Sequence, residues 1–356
     1  MKTEVLKTEL LQAIKSLSKL TTRKSLPILQ CVEFRTCASA LTLTATNLDT
    51  TASITIPARV TEQGVCAIAA TYLLFYLKEL NDSTIEIEST YPDGVRILSG
   101  LNYRSTETPN PGDFPQELPH TESYSYCVRE KVLKEMLTLG EPAKCSDKAR
   151  YAICGTLMNA KDNKLKLVTT NGKQLITVEK QLDTTNAEQN NITVPNDTIE
   201  ILQKLLRDTW NLVRVSVDTD RNRVSFSWSG ICVSTKLIEG NYPNYTEVIP
   251  IQTVAKFKLN VTELLRIVKG MFSNPSVTLT ITRDLLTVTT LDRYETMRVD
   301  YQSDTSVTVI LNRDYLVKPL EELKNTHITM ELTDEQSAVA MRTDYYTYVL
   351  MPVRKN

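Results

Sequence analysis

The sequence predicts an α+β chain made of three copies of one domain, each copy carrying two short helices packed on antiparallel sheets. Three observations predict it. A short helical segment occurs three times, strands alternate with period two along most of the chain, and a second helix recurs in step with the first. Glu9-Leu10-Leu11 with Ile14 returns as Lys131-Val132-Leu133 with Met136, and again as Glu263-Leu264-Leu265 with Val268. The spacing is far longer than the roughly 20–50 residues of a solenoid repeat. It is the size of a small domain.

The elements follow in order. Each repeated helix comes after a short alternating stretch: Val5-Leu6, Tyr126-Cys127-Val128 and Phe257-Lys258-Leu259. Leu10, Leu11, Ile14 and Leu17 form one apolar stripe, the mark of a helix with a single buried face. Strands are predicted at 41–46, 85–88, 213–217, 224–228, 277–282 and 328–332, where apolar residues alternate with Thr, Ser and charged residues. Such strands bury one face and wet the other, as antiparallel sheets do. Second helices are expected at Leu73–Leu80, Ile199–Leu206 and Leu316–Leu323, after strands at Val65–Ile68, Ile192–Val194 and Val307–Leu311. Each domain is therefore two half-repeats of one helix and several strands. The clusters Pro109–Pro115 and Gly240–Tyr245 break both periodicities. They set the expected domains at 1–119, 120–249 and 250–356.

Composition narrows the function. Hydrophobic residues make up 41% and charged residues 23% of the 356, enough for each copy to bury a core. No apolar run reaches the roughly 20 residues of a membrane span. The N-terminus lacks a signal-peptide core. The seven cysteines form no Cys-x-x-Cys pair, so reduced thiols in a cytoplasmic setting are expected, with Cys154 and Cys232 as small core residues. The two histidines, His120 and His327, have no ligand partners at metal-binding spacing. The ten glycines are scattered and build no phosphate-cradling loop. Without a base, nucleophile or metal constellation, the chain is read as a non-enzyme with no cofactor.

The faces opposite the apolar stripes carry Lys15, Lys19, Lys134, Lys204, Arg207, Arg266, Lys269 and Lys318, with Glu200, Glu321 and Glu322 among them. An ordinary solvated helix face explains any one of these. Together, in a ring with its helices inside, they would give a moderate positive field suited to many weak phosphate contacts without base readout.

Several segments resemble the bacterial sliding clamp, the beta subunit of DNA polymerase III. They are Arg23-Lys24-Ser25-Leu26-Pro27-Ile28-Leu29, Thr46-Asn47-Leu48-Asp49, Asp113-Phe114-Pro115 and Thr170-Asn171-Gly172-Lys173-Gln174-Leu175. Asn241-Tyr242-Pro243-Asn244-Tyr245 with Val248-Ile249-Pro250, and the ending Tyr348–Arg354, complete the series. Each motif is weak alone; their order along a threefold repeat makes the resemblance specific. It implies a DNA-clamp fold: a head-to-tail homodimeric ring around double-stranded DNA, helices inside and sheets outside, opened by a separate loader and tethering the polymerase for processivity. It implies a groove for partner peptides of the Gln-Leu-x-Leu-Phe kind. That groove would be formed by Ile153, Thr170, Gly172, Lys173, Gln174, Leu175, Pro243, Val248, Ala338, Val349, Leu350, Met351, Pro352, Val353 and Arg354. It implies DNA contact by Arg23, Lys24, Arg150, Tyr151, Asn312 and Tyr315, beside the helix residues Lys204, Arg207 and Lys269. It places Arg104, Thr106, Met271 and Phe272 at the dimer seam.

The chain departs from the family pattern in places. Asn196-Asp197 stands where an Arg-Lys pair is common, with Asp197 and Glu200 read as a capping box. Lys173-Gln174 replaces His-Arg, and Glu247 replaces an Arg. Arg104 and Thr106 make the seam more polar. The alternative reading is a β-rich interaction scaffold with no role on DNA.

Overall fold

The computed structural model describes residues 1–22, 26–90, 94–116, 121–147, 149–185, 190–272, 274–301, 303 and 305–354. Arg23, Lys24 and His120 lie outside them.

The helices are α1 (Lys7–Leu17), α2 (Ala70–Glu79), α3 (Glu130–Gly140), α4 (Asn196–Leu205), α5 (Val261–Gly270) and α6 (Arg313–Glu322). The apolar stripes explain them. In α1, Leu10, Ala13, Ile14 and Leu17 are buried, while Leu11, expected in the stripe, is only half-buried. In α5, Leu264, Leu265 and Val268 are all buried. The second helices begin three residues before their expected starts, because their polar first turns carry no apolar periodicity. In α4 this shift corrects the capping box: the helix already includes Asn196, so Asp197 sits inside its first turn. There it favours the positive helix end rather than capping it.

The chain forms two compact units, and they follow continuous sheets rather than the sequence repeat. The first comprises 1–130 and 200–237. One of its sheets runs Arg59–Glu62, Lys2–Leu6, Thr84–Thr90, Gly94–Ser99, Asn102–Thr106. In its other sheet, the strands of this unit run Tyr124–Arg129, Leu212–Asp218, Arg223–Trp228, Ile231–Lys236, Thr50–Pro57, Ala40–Thr46, Cys31–Cys37, Val65–Ala69. Ile231 opposite Ile54 and Thr235 opposite Thr50 join sequence-distant strands there. A hydrogen bond of 2.9 Å between the Thr50 and Thr235 hydroxyls seals the junction.

The second unit comprises 131–199 and 238–356. Its larger sheet runs Asn190–Pro195, Gly155–Lys161, Lys164–Thr170, Gln174–Gln181, Tyr346–Leu350, Val339–Arg342, His327–Leu332, Ala255–Asn260. Its smaller sheet runs Tyr294–Arg298, Leu285–Thr289, Ser276–Thr282, Val307–Asn312. Phe257, Tyr346 and Tyr348 are among its largest fully buried side chains, as Phe34 and Phe226 are in the first unit. Cys154 and Cys232, expected in the core, are only half-buried. Among the described residues no helix is long and apolar enough to cross a membrane.

Candidate peptide groove and nucleic-acid interface

The residues expected to form the groove all lie in the second unit. Its floor is an apolar cluster of Leu157, Val168, Leu175, Ala340 and Val349, with Tyr242, Tyr245, Ile249 and Ala338 packed against it. The antiparallel register sets Leu175 opposite Val349 and Gln174 opposite Leu350. One wall is the turn between Lys164–Thr170 and Gln174–Gln181. The Asn171 side-chain oxygen accepts from the backbone of Lys173 (3.0 Å) and of Gln174 (3.1 Å). The Thr170 hydroxyl donates to the Gln174 carbonyl at 2.7 Å. Gly172 has φ +83°, a conformation glycine adopts without strain, and a Cβ there would sit 2.6 Å from the Arg150 guanidinium and push it aside. The chain end is clipped to this wall: Met351 N–H donates to the Lys173 carbonyl at 3.0 Å, and Val353 N–H to the Ile310 carbonyl at 2.8 Å. A separate cavity of about 350 Å³ is lined by Pro352, Val353 and Arg354 with Ile310, Glu335 and Gln336.

The structure redistributes the expected groove residues. Pro243, Val248, Met351, Val353, Gly172 and Lys173 are exposed and can meet a ligand. Thr170, Ala338 and Pro352 are half-buried. Leu350 is fully buried in the last strand, so it belongs to the core and not to the slot. Gln174 is buried and committed: its amide donates to the Pro142 carbonyl (2.6 Å), and its oxygen accepts from the Tyr348 hydroxyl (2.9 Å). Ile153, Leu175 and Val349 are buried supports rather than contact surface. Leu157, Val168, Tyr242, Tyr245 and Ile249, not among the expected residues, belong to or pack on the apolar cluster. The two tyrosines and Ile249 stand in the motifs that carried the resemblance, but burial alone shows that they face the cluster.

The residues expected at DNA are spread over both units. In the second, Arg150 is exposed, donates to the Asn171 carbonyl at 3.2 Å and lies 3.6 Å from Asp147. Tyr151 beside it is 59% exposed. Lys269 pairs with Glu321 at 2.5 Å and Arg266 with Glu295 at 2.8 Å. Asn312 caps α6, its oxygen accepting from the backbone of Asp314 (3.0 Å) and Tyr315 (3.2 Å). The Tyr315 carbonyl accepts from the Tyr348 hydroxyl. Both residues therefore have structural work besides any contact with DNA. In the first unit, Lys204 and Arg207 line a cleft of about 300 Å³ with Glu9, Gln12 and Ser16. Glu130 lies at its base, fully buried. Its carboxylate accepts from the Arg207 backbone (2.7 Å), the Trp228 indole (3.0 Å), the Asn211 amide (3.3 Å) and the Thr209 hydroxyl. Lys19 is ion-paired with Glu200.

The expected seam residues also divide. Arg104 lies on Asn102–Thr106, an edge strand of its sheet. It donates to Glu79 at 2.8 Å and stacks over the Tyr76 ring at 4.7 Å. Phe272 is 79% exposed, whereas Met271 is buried. Further exposed aromatics that the sequence did not flag are Phe75 and Tyr103 in the first unit and Tyr294 in the second. Among the described residues no cluster of three or more His, Cys, Asp or Glu side chains could hold a metal ion.

Known proteins bear on this arrangement. The model of the DNA polymerase III beta subunit N-terminal domain matches residues 1–119, and that of its central domain matches residues 127–244. The beta sliding clamp of Chlamydia muridarum is 21% identical over 366 residues, covering 99% of this chain and 99% of the relative. That of Treponema pallidum is 24% identical over 356 residues, covering 94% of each. The crystal structure of the DNA polymerase sliding clamp from Bacillus subtilis superposes with a TM-score of 0.93 at 19% identity, over 100% of both chains. The sliding clamp from Bartonella birtlesii, solved bound to griselimycin, gives 0.91 at 23% identity, also over 100% of both. The fold and these matches define a class: the DNA sliding clamp, a processivity factor that catalyses nothing. Within that class, the chain belongs to the family of the bacterial DNA polymerase III beta subunit.

Proposed function

We propose that two copies of this chain close head to tail into a ring around double-stranded DNA, and that polymerase and loader dock short peptides in the groove of the second unit. The observation that carries the ring is a pair of open sheet edges. Asn102–Thr106 ends a sheet of the first unit, and Tyr294–Arg298 ends a sheet of the second. An exposed edge strand is a template for pairing with another chain. Both edges carry exposed aromatic side chains, Tyr103 and Tyr294, which monomeric proteins rarely leave uncovered in patches. The seam would comprise Arg104, Thr106 and Phe272 with these neighbours.

DNA contact is assigned to Arg150, Tyr151, Lys204, Arg207 and Lys269, with Asn312, Tyr315, Arg23 and Lys24 carried over from the resemblance. Partner contact is assigned to Gly172, Lys173, Pro243, Val248, Met351, Val353 and Arg354. A relative bound to griselimycin is a precedent for ligand capture by this fold. The spans of the two matching family models support the first two sequence domains, 1–119 and 120–249, and leave 250–356 as the third. The seven free thiols fit a cytoplasmic location.

The ring is tested on closed circular DNA. Protein loaded onto a nicked circle should stay bound through high salt and fall off once the circle is linearised. Retention after linearisation, or no retention on the circle, would overturn the topological reading and favour the scaffold alternative.

A further inference from the structure

The loop that carries Arg150 and Tyr151 is tied at its neck by a pair of thiols. The Cys145 and Cys154 sulfurs lie 3.9 Å apart. Both point at one acceptor, the Asp147 carbonyl, from 3.7 Å and 3.0 Å. Asn196 holds the two backbones in place: its amide donates to the Cys145 carbonyl at 2.9 Å, and its N–H to the Cys154 carbonyl at 3.0 Å. The neck is thus anchored on both sides by one residue at the start of α4. A disulfide needs the sulfurs about 2.05 Å apart, so side-chain rotation and a small shift of the neck would join them.

We propose that Cys145 and Cys154 are a redox-active dithiol, and that their oxidation by a peroxide to a disulfide re-sets the loop between the DNA contacts and the peptide groove. The half-buried Cys154 is the entry point, since Cys145 is buried. The Cys154 sulfur attacks one peroxide oxygen, the O–O bond breaks, and water leaves, giving a sulfenic acid. The Cys145 sulfur then attacks the Cys154 sulfur. Its thiol proton joins the departing hydroxyl as a second water, and the S–S bond forms. Two thiols are oxidised and one peroxide is reduced. Burial holds the Cys154 thiol up at about 11, so at neutral pH the resting pair is protonated and slow to react with weak oxidants.

One contact carries the shift outward. Arg150 covers Gly172 and bonds the Asn171 carbonyl, so moving the neck disturbs the wall turn. The bond itself stands on the thiol geometry; its effect on ligand binding rests on the groove assignment above.

The experiment treats the full chain with hydrogen peroxide, alkylates the remaining thiols and maps linked peptides by mass spectrometry. A Cys145–Cys154 link should form, reverse with dithiothreitol, and be absent in both Cys154→Ser and Cys145→Ser. Trypsin cleavage after Arg150 should slow in the oxidised protein. Affinity for a labelled Gln-Leu-x-Leu-Phe peptide should fall about tenfold in oxidised wild type and hold in peroxide-treated Cys154→Ser. Peroxide that modifies the exposed Cys37 without linking Cys145 to Cys154 overturns the dithiol. A link that leaves both cleavage and peptide affinity unchanged overturns the switch, while the groove stands. Reduced protein that never binds the peptide overturns the groove, and cleavage after Arg150 then decides the loop switch alone.

Discussion

Leu350 is fully buried, and Met351, one residue on, is 43% exposed. Their neighbourhood in the motif hides opposite roles. Leu350→Ala should open a core cavity and cost about 2–5 kcal/mol of stability, read from the urea midpoint. Met351→Ala should leave that midpoint in place while lowering peptide affinity about tenfold, because a flexible thioether fits varied partners. Equal loss of stability in both variants would remove Met351 from the groove. A second residue-scale effect is electrostatic. The Arg214 guanidinium, bonded to Glu122 at 2.6 Å and 2.9 Å with help from the Ser216 hydroxyl, holds the Glu122 carboxyl down at about 2 from its ordinary 4.5. A folded-state value below the unfolded one means the pair contributes full stability above pH 4.5, and loses it as the pH falls towards about 2. Glu122→Gln should therefore lower Tm at pH 7, and its deficit should shrink through that acid window. A deficit that persists unchanged at pH 2 would show that the loss is one of packing.

At the scale of elements, helix ends decide what is structural and what can bind. Asn312 caps α6 as Asn260 caps α5, where its side chain accepts from Glu263 N–H at 3.1 Å. Asn312→Ala should cost about 1 kcal/mol of stability whatever the residue does at DNA. Asn312→Asp keeps a good cap and adds a negative charge. It should hold Tm and shorten retention on circular DNA; unchanged retention would confine Asn312 to its cap. Turns show the repeat at the same scale. Thr46-Asn47-Leu48 and Thr170-Asn171-Gly172 use the same side-chain bonds and a left-handed third residue, φ +79° at Leu48 and +83° at Gly172. The strands and second helices were legible because alternation and apolar stripes record one buried face. Their first turns were not, because polar residues at a helix start carry no period.

At the scale of the whole molecule, the proposed ring rests on the open edges. Phe272 is exposed, so Phe272→Arg should preserve the fold and shift sedimentation from dimer to monomer at micromolar concentration. A dimer that survives dilution would move the seam elsewhere. Six half-repeats do not make six compact bodies here. The strands of each half-repeat extend a neighbour's sheet, as Ile231–Lys236 extends Thr50–Pro57 and Tyr346–Leu350 extends Gln174–Gln181.

The residue pattern by itself determined the α+β class, the threefold repeat, the faces that are buried and, through its ordered motifs, the clamp family. Those properties are local or periodic, so a single chain records them. Only the tertiary structure decided which motif residues are surface and which are floor, as between Met351 and Leu350 or Phe272 and Met271. It also decided that Asn312 is a cap and that Cys145 and Cys154, nine positions apart, meet at one carbonyl. Burial and contact between distant segments come from how sheets continue into one another, and no local pattern encodes that.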